Sequence, residues 1–205
     1  MEVIPAINCK DFKCVKERIL KASEFLKKGD WIQFDISDGK FTPAKTWDKP
    51  EQLKNLKTEK LKIEVHLMVN DPEKEIKKWS KFADRMIIHL EALEKHSNFQ
   101  SKRIGIAIKS DTPVKKLFPY LNKIKFVQLL AVTPGFSGGK FDLKILRKIK
   151  EIKKNHPKIK IEIDGGANEK TVKLIKRAGA DIVVSASHIF ENKNPKEAFD
   201  ILRKF

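Results

Sequence analysis

The sequence predicts an α/β chain folded as a single-domain (β/α)₈ TIM barrel of eight parallel strands, with residues 1–205 forming one domain. Three observations predict it. Eight short runs rich in Val and Ile recur from end to end, amphipathic stretches separate them, and the units average about 25 residues, near the lower size for such a barrel. No linker or low-complexity segment interrupts the alternation, and 40% hydrophobic composition over 205 residues supplies one good core. An open doubly wound sheet is the competing architecture, because periodicity cannot show closure.

The strand runs fall at residues 3–8, 31–36, 63–68, 86–90, 104–108, 126–131, 159–163 and 181–184. They are continuously apolar instead of alternating, as expected of parallel strands buried on both faces. Helical patterns cover 12–28, 50–56, 72–82, weakly 93–98, then 113–121, 143–154, 169–178 and 195–205. Asn70-Asp71-Pro72-Glu73 and Asp111-Thr112-Pro113 place a capping side chain before a first-turn proline, and Gly179 follows Arg177-Ala178 where a left-handed cap belongs.

The balance of 44 Lys and Arg against 27 Asp and Glu gives a net charge of +17. The lysines are spread over nearly every helical stretch, unaccompanied by Gly-aromatic or Cys/His nucleic-acid motifs, so a solvated surface is expected and no specific nucleic-acid partner. Weak, salt-sensitive polyanion binding remains a side effect of such charge. No run of eighteen apolar residues occurs, and Met1-Glu2-Val3-Ile4-Pro5 leads straight into a strand-like run. A cytoplasmic protein without a membrane partner is expected. Cys9 and Cys14, the only cysteines, are expected as reduced thiols, since a bridge over so short a span looks awkward.

In such a barrel, chemistry sits at the C-terminal ends of the strands. Gln33, Asp35 and Ser37 share one face of the second strand, His66 faces the same space from the third, the fourth ends in His89-Leu90-Glu91 and the seventh in Asp164-Gly165-Gly166. Asp35 and Asp164 come from strands that look at each other across the mouth. Two carboxylates and an imidazole there can hold a divalent metal, which polarises a carbonyl. Asp164 could equally cap the next helix, and His66 could be a hydrogen-bonded packing residue; spacing does not separate these readings. Gly135, Ser137 and Gly138 after the sixth strand, Gly165 and Gly166 after the seventh, and Ala186 and Ser187 after the eighth offer backbone N–H groups to a phosphate.

The sequence resembles the ribulose-phosphate 3-epimerase family. The resemblance is carried by Phe34-Asp35-Ile36-Ser37-Asp38-Gly39-Lys40-Phe41-Thr42-Pro43, by Val65-His66-Leu67-Met68-Val69 with Asp71-Pro72, and by His89-Leu90-Glu91-Ala92. Thr133-Pro134-Gly135-Phe136-Ser137-Gly138-Gly139-Lys140-Phe141 and Glu162-Ile163-Asp164-Gly165-Gly166 leading to Ser187-His188-Ile189-Phe190 complete it. It implies interconversion of ribulose 5-phosphate and xylulose 5-phosphate through a metal-stabilised enediolate, with Asp35 and Asp164 as acid and base on opposite faces of carbon 3. It implies a divalent cation (Zn, Mn, Mg or Fe) held by Asp35, His66 and Asp164. Cys9, Met68 and Phe136 fall in the substrate pocket, and a homo-oligomer is compatible with the resemblance.

Departures accompany it. Gln33 stands where the family has its first metal histidine and offers at most a weaker, neutral ligand. Ala6 and Cys9 alter the N-terminal serine motif, Ser37 and Leu130 replace methionines, Lys109-Ser110 replaces Asn-Pro, Thr133 replaces Asn, and Ala186 replaces Gly. A ketohexose-phosphate 3-epimerase and a non-catalytic sugar-phosphate-binding barrel are the alternatives. Decarboxylation is disfavoured, because Asp35-Ile36-Ser37-Asp38 lacks the lysine of an Asp-x-Lys-x-x-Asp pattern.

Overall fold

The computed structural model describes residues 1–56, 58, 60–93, 102–132 and 139–205. Its strands are β1 (Glu2–Ile7), β2 (Trp31–Ser37), β3 (Lys62–Met68), β4 (Arg85–His89), β5 (Ile104–Ile108), β6 (Phe126–Leu130), β7 (Lys160–Asp164) and β8 (Ile182–Ser185). Each lies within one residue of its apolar run. All pair in parallel in chain order, and β1 returns to β8 through Glu2↔Ile182 to Pro5↔Ser185. The sheet is therefore closed, which excludes the open doubly wound alternative.

The continuous burial of β2 and β3, from the second residue to the last, follows from having both faces covered. Outward side chains such as Phe34 pack with Trp79 and Phe199 in the layer between barrel and helices. Inside the barrel, Ile4, Ala6, Ile182 and Val184 form one apolar cluster and Ile87, Ala107 and Phe126 another. The remaining interior is polar: Gln33, Glu64, His66, His89, Gln128 and Glu162 are all fully buried. Arg85, near the N-terminal end, pairs with Glu64 and, at 3.0 Å, with Glu162, and its guanidinium lies over Trp31 (4.1 Å) and Phe126 (4.8 Å). Burial, only partly opposed by this one cation, pushes Glu64 up to about 7 and raises Glu162 as well.

The helices are α1 (Phe12–Ser23), α2 (Pro72–Trp79), α3 (Lys144–Asn155), α4 (Glu169–Ala178), a one-turn α5 (Ser187–Phe190) and α6 (Pro195–Arg203). Asp71 caps α2 by accepting from Lys74 N at 3.2 Å, Asn168 and Thr171 form a capping box on α4, and Gly179 ends α4 at φ 103°. The pattern 12–28 overruns α1, because Asp30 accepts from Lys27 N (2.8 Å) in a turn that continues through Gly29 at φ 89°. The patterns at 50–56 and 113–121 form only 3₁₀ turns, Pro50–Asn55 and Val114–Leu117. In the second, Pro113 is extended (ψ 137°) and the Thr112 hydroxyl is committed to Glu91 instead of capping. Positions 94–98 of the weak helical pattern lie outside the described residues.

The expected free thiols are corrected: Cys9 and Cys14 form a disulfide. Asp11 accepts from Cys14 N at 2.9 Å as the N-cap of α1, folding the first helical turn back over the β1 loop. That turn brings the two Cα atoms to 5.7 Å, within the range a disulfide needs. Among the described residues, no helix is long and apolar enough to cross a membrane.

Candidate active site

Parallel pairing sets Asp35 of β2 directly beside His66 of β3, and Leu130 of β6 beside Asp164 of β7. Barrel curvature then turns Asp35, His66 and Asp164 toward one point, with one ligand-type atom of each within 4.8 Å of the others. His66 Nδ1 is 3.1 Å from Asp164 Oδ2 and 3.6 Å from Asp35 Oδ1. It makes no well-aligned hydrogen bond with either, so a fully buried ring nitrogen is left facing two carboxylates. Burial alone would depress the imidazole, but the carboxylates of Asp164 and Asp35 facing Nδ1 lift it to about 10. Burial raises the Asp164 carboxyl, against the opposing pull of His66.

Two side chains hold Asp35 from below and beside. Gln33 Nε2 donates to Oδ1 at 2.7 Å, and Asn8 Nδ2, just past β1, donates to Oδ2 at 3.3 Å. The far side of His66 is held as well. Its Nε2 lies 2.9 Å from His89 Nε2, and His89 Nδ1 lies 3.2 Å from Glu91 Oε2. Glu91 Oε1 accepts from Lys109 N (2.9 Å) and from the Thr112 hydroxyl. A carboxylate only accepts, so His89 carries its proton on Nδ1 and its Nε2 accepts from His66. Lifted to about 10, His66 holds a proton on Nδ1 in the ion-free chain; loss of that proton leaves the ring's lone pair there, facing Asp35 and Asp164. This is the tautomer a cation ligand requires, oriented by outer hydrogen bonds in the usual manner of metal-site histidines. Burial holds His89 down at about 4, consistent with a neutral ring. The donor set of one imidazole and two carboxylates suits a divalent ion.

Other expected site residues occupy varied settings. Met68 is buried at the end of β3, and Leu130 at the end of β6. Ser37 bonds to Thr42 and to Ala44 O (2.8 Å), tying down the loop after β2, and Phe41 of that loop packs against His89 in a tilted arrangement with ring centroids 4.7 Å apart. Gly165 and Gly166 have φ of 93° and 68°, and a Cβ on either would strike Val132 or Phe141. Glycine is required there by backbone and packing alone. Ala186 and Ser187 start α5. Gly135, Phe136, Ser137 and Gly138 lie outside the described residues. Cys9, expected to line the pocket as a thiol, has its sulfur in the disulfide.

Sequence reading assigned no role to Asn8, Gln128 or the His89–Glu91 pair. The available signal was the inward alternation of β4 and β6, with Arg85, Ile87 and His89 on one face and Phe126, Gln128 and Leu130 on another.

An imidazole and two carboxylates meet at the C-terminal mouth of a closed (β/α)₈ barrel, the end at which barrel enzymes carry their active sites. The family is more specific. A model of the ribulose-phosphate 3 epimerase family matches residues 2–190, and the chain belongs to this family of isomerases. The ribulose-phosphate 3-epimerase of Schizosaccharomyces pombe is 31% identical over 98% of this chain and 92% of its own length. That of Helicobacter pylori strain J99 is 33% identical over 99% and 97%. Among solved structures, KGPDC from Streptococcus mutans in complex with D-R5P superimposes with a TM-score of 0.70 over 98% of this chain and 95% of that one. At 17% identity, this likeness shows the fold alone.

Proposed function

We propose that the chain inverts carbon 3 of a ketopentose phosphate, interconverting ribulose 5-phosphate and xylulose 5-phosphate. The observation that carries this reading is the meeting of Asp35 and Asp164, from strands on opposite sides of the mouth, at one buried imidazole nitrogen. One carboxylate takes the C3 proton next to the C2 ketone, giving an enediolate and a carboxylic acid. The other, entering the half-reaction protonated, returns a proton to the opposite face of C3. The upward shift of Asp164 by burial suits a group that must hold a proton in one half of the cycle. Asn8 and Gln33 keep Asp35 aimed while its charge changes, and the buried walls of β2, β3 and β6 keep water from the reacting carbon.

Asp35, His66 and Asp164 would hold a divalent cation, of Zn, Mn, Mg or Fe type, and its chemistry would be withdrawal of charge from the C2 and C3 oxygens. The substrate phosphate is assigned to the backbone N–H groups near Gly165, Gly166, Ala186 and Ser187, with Gly135, Ser137 and Gly138 on the neighbouring loop. A cytoplasmic location accords with this chemistry.

The test is solvent deuterium exchange at C3 of either pentulose phosphate, with Mn²⁺ supplied. Wild type should incorporate deuterium and interconvert the substrates, and Asp35→Asn and Asp164→Asn should each lose turnover by about two to four orders of magnitude while remaining folded. Absence of exchange in wild type, or full activity in either variant, would overturn the assignment.

A further inference from the structure

Gln33 occupies the position at which the resemblance implies a metal-binding histidine, and its surroundings give it a different task. Its amide nitrogen faces the carboxylate of Asp35, donating to Oδ1 at 2.7 Å. Its oxygen faces away, accepting from Gln128 Nε2 at 3.3 Å. Gln128 Nε2 also donates to Glu162 Oε1 at 2.9 Å, and Glu162 Oε2 accepts from Arg85 at 3.0 Å.

As the side chains are placed, Glu162 accepts from Arg85 through Oε2 and from Gln128 Nε2 through Oε1, and the same Gln128 nitrogen faces the Gln33 oxygen. Reversing the Gln33 amide would set its oxygen against Asp35 Oδ1 and its nitrogen against a nitrogen of Gln128. Gln33, Gln128 and Glu162 are all fully buried, so bulk water cannot repair the mismatch.

We propose that Gln33 is a positioning residue and not a ligand: anchored through Gln128, it pins Asp35 by its amide nitrogen, leaving a cation site of three protein ligands, Asp35, His66 and Asp164. This inference rests on the metal reading above for its second half only. The amide orientation belongs to the chain without any ion. A site with three protein ligands leaves more positions for water or substrate oxygens than one with four. Gln128 bonds to Gln33 and Glu162 instead of to the three ligands, so it gives an experimental handle away from the ion.

Two measurements test the proposal. In ion-free protein, the Gln33 side-chain NH₂ should appear in ¹⁵N spectra as protected from solvent exchange, and Gln128→Leu should abolish that protection. Rapid exchange in wild type would overturn the orientation, whether or not any metal binds. In a Mn²⁺ titration, Gln33→Met and Gln128→Leu should each weaken binding by a similar factor of about ten, and the double variant should be no weaker than either. A large loss confined to Gln33→Met, with Gln128→Leu unchanged, would make Gln33 a ligand and overturn the proposal. If wild type binds no Mn²⁺, the metal reading fails while the exchange measurement still decides the role of Gln33.

Discussion

Single side chains in the barrel interior carry more of the specification than their sequence context advertises. Gly105 on β5 shows why. A Cβ placed there would lie 2.2 Å from the Phe126 ring, whose face also supports the Arg85 guanidinium. Gly105→Ala should therefore destabilise the fold by about 1–3 kcal/mol through overpacking. Thermal unfolding checks this, and Phe126→Leu in the same chain should recover part of the loss; an unchanged Tm in Gly105→Ala would show that the ring yields freely. Strand-end position made Asp35, His66 and Asp164 candidates without separating a site from a helix cap or a packing histidine; a carboxylate or imidazole at the inward end of an apolar run is costly to bury unless it meets partners at the barrel mouth. Gln33 was visible as a substitution, but its direction was not. That direction depends on Gln128 and Glu162, 95 and 129 residues further along the chain.

At the scale of elements, the ends of β4 and β5 form a polar bracket around the imidazoles. Glu91 sits on the 3₁₀ turn Leu90–Ala92 directly after β4 and is bound by His89, the Thr112 hydroxyl and the Lys109 amide. Burial alone would raise its carboxyl, but these hydrogen bonds hold it down at about 2, against 4.5 normally. The unfolded chain then binds more protons between those values, so the contribution of Glu91 to stability is complete above pH 4.5 and is lost as the pH falls toward 2. Glu91→Gln should flatten the dependence of Tm on pH in that window and reduce stability at neutral pH by about 1–3 kcal/mol. An unaltered slope would mean that the bracket does not restrain Glu91. Strands were legible to within a residue because continuous Val/Ile runs leave little freedom in a doubly covered sheet. The segments at 50–56 and 113–121 were less so. Proline and capping residues are the same in an α-helix and a 3₁₀ turn, and the choice went to tertiary partners such as Glu91, which draws Thr112 away from capping.

On the scale of the whole molecule, a net charge of +17 belongs to a protein whose C-terminal barrel mouth gathers carboxylates and imidazoles. The disulfide links the loop after β1 to α1, and so acts on the free energy of the whole chain by restricting its unfolded state. For a ring this short, the chain-entropy model gives about 2 kcal/mol. Cys14→Ser should lower the Tm of oxidised protein by several degrees, on the order of 2–4 °C per kcal/mol for a chain of this size. A dithiol reductant should lower the wild-type Tm to the same value and leave the variant unmoved. Equal Tm values for oxidised wild type and variant would show that the bridge adds nothing.

Taken by itself, the sequence determined the number and position of the strands, the alternation that suits a barrel, and three candidate residues at its mouth. All of these follow from local periodicity and from the rule that strand ends in a closed parallel barrel face one space. The tertiary structure decided closure through β1 and β8, the pairing of Cys9 with Cys14, and the orientation of Gln33 and His66. Each of these depends on which distant group supplies a hydrogen-bond donor, an acceptor or a second sulfur. Glu91, ionised and unable to donate, fixes the direction of the His89–His66 pair, and the Gln33 amide takes its direction from Asp35 on one side and Gln128 on the other.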